Sequence, residues 1–230
     1  MKLHVFPPSP RGAKVLALAH HLGLDCEIAI VDLFAGGNQT PEFKKLNPNG
    51  KMPVLEDGDL VLWESNAILQ YLAAKRPESG MWPTDPRRQA DVARWQFWDA
   101  AHWDPACATL IFEHLVKQLS GQGAPDPAQV AKGRADLGRY APVLNGTLRG
   151  RRWVTGDTLT VADFGLGAPL MYAAQAGIPL ADYPEIARWY ATLSALPGWQ
   201  KAMPAPPDAD AAAERARTAA ASSGARPRAD

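Results

Sequence analysis

The sequence predicts an α/β amino-terminal domain with a mixed four-stranded sheet, followed by an all-α carboxy-terminal domain. Three observations predict it. Strand, helix and strand patterns follow one another within residues 2–33. Asp57-Gly58 stands between two apolar runs, the strongest short hairpin signal in the chain. From Arg87 onward only helical patterns occur.

Residues 2–6 read as a short buried strand. In "AKVLALAHHL", Val15, Leu18, Ala19 and Leu22 recur at the spacing of one helix face, and Gly23 follows where a helix-ending glycine belongs. "CEIAIVDL", 26–33, is rich in Ile and Val and reads as the second strand. Strand, helix and strand in this order imply a parallel crossover. "PEFKKLNPNG" holds a helical turn and a loop. "MPVLE" and "LVLWE" form the hairpin, and "SNAILQYLAAKRP" buries Ile68, Leu69 and Leu72 before Pro77 stops it.

The expected division is 1–77 for the first domain, a linker over 78–86 rich in proline, and a helical domain over 87–204. Residues 205–230, rich in Ala, Pro and Arg, lack the large apolar side chains needed to repay ordering and are expected to be disordered. Pro105 interrupts the long aromatic helix that starts in "RRQADVARWQFWDAAHW", so a kink or break is expected near Asp104. Further helices are expected near 127–149, 160–175 and 184–196. "LTVADF" is a capping box with its staple: Thr160 and Asp163 satisfy each other's amides, and Leu159 and Phe164 take the flanking apolar positions.

Hydrophobic residues make up 47% of the 230, enough for a sizeable core, and 24 Lys and Arg balance 24 Asp and Glu. There is no basic block of six or more, which argues against nucleic acid. No apolar run approaches 18 residues and the first is too short for a signal peptide, so neither a membrane span nor secretion is expected. Two cysteines, Cys26 and Cys107, make neither a disulfide framework nor a zinc site and fit a cytoplasmic protein. The five histidines have no metal-ligand spacing, and no metal is expected.

Three short segments can carry chemistry, and each has a plainer reading. Ser9, between a strand and a helix, is either a turn or cap residue, or a hydroxyl that donates to an anion held at the helix N-terminus. Pro53 is either a trans proline at a loop end, or a cis proline that leaves the Met52 backbone free to pair with a peptide-like ligand. Ser65 is either an N-cap, or part of a site in which its amide and hydroxyl take a carboxylate while Glu64 takes an ammonium.

Taken in order, Ser-Pro turn, helix, strand, Met-Pro, hairpin, Glu-Ser and helix, with "GKMPVLEDGDLVLWESNAILQYL" the most specific part, resemble the thioredoxin-like domain of the cytosolic glutathione transferases. "LTVADF" and "YPEIARWYATLSALPGW" resemble their helical domain. The resemblance covers about residues 1–205 and is to the serine-type theta and phi classes. It implies a transferase that joins the thiolate of glutathione to hydrophobic electrophiles, with no cofactor and as a homodimer. Glu64 and Ser65 would hold the γ-glutamyl end, Met52 before Pro53 the cysteinyl part, and Lys51, Asn38 and Gln39 the glycine carboxylate. Ser9 would donate to the sulfur. Pro8, Arg11, Trp103 and Phe112 would line the pocket of the hydrophobic co-substrate. The Cys-Pro-x-Cys motif of glutaredoxin-like relatives is replaced by Ser9-Pro10-Arg11-Gly12, which removes both sulfurs and disfavours dithiol exchange. A peroxidase or dehalogenase using the same site, and a non-catalytic assembly module, are the alternatives.

Overall fold

The computed structural model describes residues 1–203; the expectation for the tail lies outside them. Strand β1 (Lys2–Val5) leads through a turn into helix α1 (Pro10–His21), which returns the chain to β2 (Glu27–Ile30). β2 pairs with β1 in parallel, with Leu3 opposite Ile28 and Val5 opposite Ile30. The short helix α2 (Pro41–Leu46) then leads to the hairpin of β3 (Val54–Asp57) and β4 (Leu60–Trp63), whose loop is Gly58-Asp59. β3 pairs antiparallel with β1, so the sheet order is β2-β1-β3-β4, and α3 (Ser65–Ala74) follows. Leu3, Val5 and Leu55 from the sheet meet Val15 and Leu18 of α1 and Ile68, Leu69 and Leu72 of α3, all fully buried. Alternation along the strands and a three-to-four spacing along the helices put these residues on facing surfaces.

This register has a consequence for function. β1 and β2 end, β3 begins and β4 ends at the same side of the sheet, because Val5 lies opposite Ile30 and Val54 lies opposite both His4 and Trp63. Residues 6–9, 31–40, 51–53 and 64–65 therefore emerge together.

The second domain starts with α4 (Pro86–Trp98), capped by the Asp85 side chain. The break expected near Asp104 does not occur, since Trp98, Trp103 and Asp104 all keep helical φ and ψ. Instead a π-helical turn runs from Asp99 to Trp103 and passes without interruption into α5 (Asp104–Ile111), with Pro105 just after the widened turn. A second π turn, Phe112–Val116, leads to α6 (Lys117–Leu119), and α7 (Pro127–Leu148) follows. The helix expected over 160–175 is shorter. α8 (Val161–Gly167) gives way to a 3-10 helix, Ala168–Tyr172, because Pro169 has no amide to continue the α ladder. α9 (Pro184–Ser194) and α10 (Pro197–Ala202) complete the described chain.

α10 crosses α1 so closely that a Cβ on Gly198 would stand 2.5 Å from the amide nitrogen of His21. Only glycine permits that approach.

The capping box forms at the start of α8. Asp163, fully buried, accepts from the Thr160 amide at 3.0 Å, from the Val154 amide at 2.9 Å and from the Trp189 indole at 2.9 Å. Burial pushes its carboxyl up to about 6 although these donors pull the other way. One carboxylate thus joins the 153–160 loop, the start of α8 and the middle of α9. Asp163→Asn puts an NH2 group among donors and is expected to lower stability by about 2–4 kcal/mol. Urea unfolding monitored by tryptophan fluorescence would measure the loss.

Candidate functional site

Phe6-Pro7-Pro8-Ser9 is a tight turn closed by the Ser9 amide donating to the Phe6 carbonyl at 2.8 Å. Ser9 then stands at the N-cap of α1 with extended backbone, and its carbonyl accepts from the Ala13 amide at 2.8 Å. Its hydroxyl makes no capping bond. Pro10 has no N–H, so the donors left at this helix end are the amides of Arg11 and Gly12 and the Ser9 hydroxyl. The first turn of α1 carries no acidic side chain of its own to offset the positive end of the helix. Gly12 is required here: a Cβ would lie 2.9 Å from the Phe6 carbonyl oxygen.

The neighbouring loop is built around Asn47, which is 3% exposed. Its Nδ2 donates to the Lys51 carbonyl at 2.6 Å and its Oδ1 accepts from the Asn49 amide at 3.0 Å. Asn38 reaches across to the same loop and donates to the Gly50 carbonyl at 2.7 Å, while a Cβ on Gly50 would lie 3.1 Å from Nε2 of Gln39. Asn38, Gln39 and Lys51 therefore share one corner. The Met52–Pro53 bond is cis, and Met52 makes no backbone hydrogen bond among the described residues.

Glu64, not Ser65, holds the N-cap position of α3, and Ser65 is the first helical residue. This corrects the N-cap expectation for Ser65. Glu64 has φ 71°, the one positive φ at a non-glycine among the described residues. Such a backbone costs about 1–3 kcal/mol, and the strain often marks a binding site. Neither the Glu64 nor the Ser65 side chain caps α3, so the first amides of that helix have no side-chain cap from either.

The helical domain meets this corner at three places that sequence reasoning missed. Lys14, 3% exposed, donates from Nζ to Asn66 Oδ1 at 2.8 Å and lies 3.3 Å from Oδ2 of Asp99, itself 1% exposed. Burial pushes the Asp99 carboxyl up and Lys14 opposes it. Arg11 pairs with Asp104 across the domain boundary. The Tyr172 hydroxyl donates to the Pro8 carbonyl at 2.8 Å. A lysine or tyrosine in an amphipathic helix ordinarily faces water, so no local pattern marks these residues.

Trp103 is not a pocket residue. It is fully buried, stacks on Trp98 at 6.1 Å and donates from Nε1 to the Leu166 carbonyl at 2.8 Å. The π turn that ends at Trp103 re-aims its side chain into the core. Phe112, by contrast, is 40% exposed. Phe34, also unforeseen, is exposed and packs edge-on against Phe6 at 5.6 Å, which sets an apolar ring beside the Ser9 turn. Burial pushes the thiols of Cys26 and Cys107 up, away from thiolate character. A cavity of about 180 Å³ at the foot of α4, lined by Arg87, Arg88 and Thr160 among others, contains none of the residues of this corner. Among the described residues, no group of three or more His, Cys, Asp or Glu side chains could hold a metal ion.

The glutathione S-transferase N-terminal domain model matches residues 1–74, and the corresponding C-terminal domain model matches residues 102–197. Glutathione S-transferase 3 of Zea mays is 36% identical over 217 residues, covering 90% of this chain and 96% of its own. The chain belongs to the glutathione S-transferase family. Among solved structures, a glutathione S-transferase from Pseudomonas fluorescens superposes with a TM-score of 0.78 at 31% identity, over 86% of this transferase and 96% of its own chain. Glutathione S-transferase-I with bound lactoylglutathione gives 0.78 at 27% identity, over 87% and 97%. The mixed sheet and the helical second domain of this transferase are those of the family.

Lys14→Met would leave the Asp99 carboxylate buried and unpaired. It is expected to cost about 3–5 kcal/mol in urea unfolding, and Lys14→Met with Asp99→Leu to recover most of it.

Proposed function

We propose that the transferase binds glutathione with its sulfur at the start of α1, where the Ser9 hydroxyl and the amides of Arg11 and Gly12 stabilise the thiolate. The thiolate then attacks an electrophilic carbon of a hydrophobic co-substrate, forming a C–S bond as the leaving group departs with the electron pair. The observation that carries this reading is the Ser9 hydroxyl, left without a capping bond at a helix N-terminus. A relative crystallised with lactoylglutathione supports glutathione as the ligand, and relatives named as transferases favour catalysis over a non-catalytic module.

The remaining roles follow the corner described above. Glu64 takes the γ-glutamyl ammonium, and the Ser65 amide and hydroxyl take its carboxylate. The free backbone of Met52, before Pro53, pairs with the cysteinyl part. Lys51, with Asn38 and Gln39, faces the glycine carboxylate. Pro8, Arg11, Phe112 and Phe34 border the co-substrate. The protein's contribution is chiefly a lowered thiol pKa and proximity. Moving the thiol from about 8.5 to between 6 and 7 asks about 2–3.5 kcal/mol, within reach of one charge-assisted hydrogen bond and a helix end.

We also infer a cytoplasmic homodimer. Phe97 is 74% exposed, and Val61 and Trp63 on the edge strand β4 are exposed as well. Large apolar side chains in such positions fit an interface between subunits.

In a pH titration of bound-glutathione thiolate absorbance, Ser9→Ala is expected to raise the inflection by about 1–2 units, with kcat/KM falling about 10–100-fold at neutral pH. Coincident wild-type and variant curves would remove Ser9 from the mechanism. Sedimentation should give a dimer for the wild type at micromolar concentration and a shift toward monomer for Phe97→Asp.

A further inference from the structure

We propose that Tyr172, from the helical domain, is a positioning residue of the thiolate site: its hydroxyl fixes the Pro8–Ser9 peptide plane and thereby aims the Ser9 hydroxyl. The inference rests on the reading of Ser9 given above and extends it to a residue outside the glutathione-binding domain.

The Pro8 carbonyl and the Ser9 amide belong to one planar peptide unit. Both ends of that unit are held. The Ser9 N–H donates to the Phe6 carbonyl at 2.8 Å, and the Pro8 oxygen accepts from the Tyr172 hydroxyl at 2.8 Å. Among the described residues Tyr172 is the only partner of that oxygen, which precedes α1 and receives no helical amide. The bond on the amide side is internal to the turn and fixes one end of the plane relative to β1. The bond on the carbonyl side comes from 164 residues further along the chain and fixes the other end relative to the second domain.

The next backbone angles are constrained as well. Ser9 has φ −77° and ψ 127°, and the following Pro10 restricts that ψ to the extended range. With the plane gripped and ψ limited, the principal freedom left to the hydroxyl is rotation about χ1. A plane released at its oxygen can rock about the remaining hydrogen bond, and the Ser9 Cα, with its hydroxyl, moves with it.

Two further observations support a designed contact. Arg11, two residues beyond Ser9, pairs with Asp104, so the helical domain holds the turn on both flanks of Ser9. Tyr172 itself is half-buried and ends the 3-10 helix whose Ala168 and Leu170 are buried, so its backbone is anchored while its hydroxyl reaches the Pro8 oxygen near the surface. Burial also pushes its phenol up, which keeps the hydroxyl protonated as a donor.

Tyr172→Phe removes this donor and keeps the ring. The first measurement needs no glutathione: amide hydrogen exchange of the unliganded protein at Ser9, Arg11 and Gly12, the three residues of 7–12 that are not proline and carry the turn and helix start. Exchange at Ser9 should rise about three- to tenfold in the variant, with the β3–β4 hairpin unchanged. The second is the thiolate titration, in which the variant should raise the glutathione inflection by about half a unit and lower kcat about three- to tenfold while KM for glutathione moves less than about twofold. The third repeats the titration in Ser9→Ala, where the added effect of Tyr172→Phe should shrink to less than half, because the two act through one group.

Unchanged exchange at Ser9 overturns the proposal whatever the enzyme does with glutathione. Faster exchange with an unmoved titration also overturns it and leaves Tyr172 as a domain staple. An undiminished effect in Ser9→Ala overturns the route through Ser9. A wild type that leaves the glutathione thiol at its solution pKa removes the thiolate reading instead, and with it the claim that Tyr172 aims a catalytic hydroxyl.

Discussion

An ammonium group cannot be left alone in an apolar interior, and Lys14 imposes that constraint on this transferase. It is buried in the middle of α1, with Asn66 from its own domain and Asp99 from the other as its partners. Either domain without the other would expose an unpaired charge or bury one. The two domains are therefore locked in one arrangement by a requirement stronger than apolar contact alone. Because the same helix begins at Ser9, the orientation that satisfies Lys14 also sets the helix start against the second domain. Gly165 of α8 closes the arrangement, since a Cβ there would lie 3.3 Å from Asp99 Oδ2. Stability and the proposed chemistry meet on one helix, about a turn and a half apart.

The two π turns show how the second domain reaches this fit. Asp99 begins the first, Trp103 ends it and Asp104 follows. An ordinary α-turn would place these three side chains differently. Widened, the segment sends Asp99 to Lys14, Trp103 into the core against Leu166 and Asp104 to Arg11. Local widening of a helix is common where side chains must be aimed at a site. Pro105, which cannot donate to the ladder, sits where the chain returns to α-helical form.

What the sequence made legible was local. The Asp57-Gly58 hairpin and the Thr160–Asp163 box depend on residues within a few positions of one another, the crossover on three consecutive local patterns, and all three are present. The site segments around Ser9, Met52-Pro53 and Glu64-Ser65 could be picked out because each lies at an element end with a distinctive residue pair. Their convergence followed from topology. What stayed hidden depended on distant partners. Trp103 read as a co-substrate pocket residue, and its burial was hidden because helical spacing assumes a uniform pitch that the π turn breaks. Lys14 and Tyr172 gave no signal because their partners are 85 and 164 residues away. Glu64 read as a ligand group without its backbone strain, since nothing in a glutamate announces a left-handed φ.

Of the five residues from Pro7 to Arg11, three are prolines. Each fixes its own φ, and Pro8 and Pro10 also narrow the residue before them. The unfolded chain therefore has few conformations to lose when this junction forms, and the folded junction has few to wander into. On the proposed reading, a sulfur arriving at the start of α1 would meet donors already in place, and binding would spend little entropy on ordering them. Beyond any contact of Pro8 with a co-substrate, what the prolines contribute to the proposed site is that it exists before the ligand does.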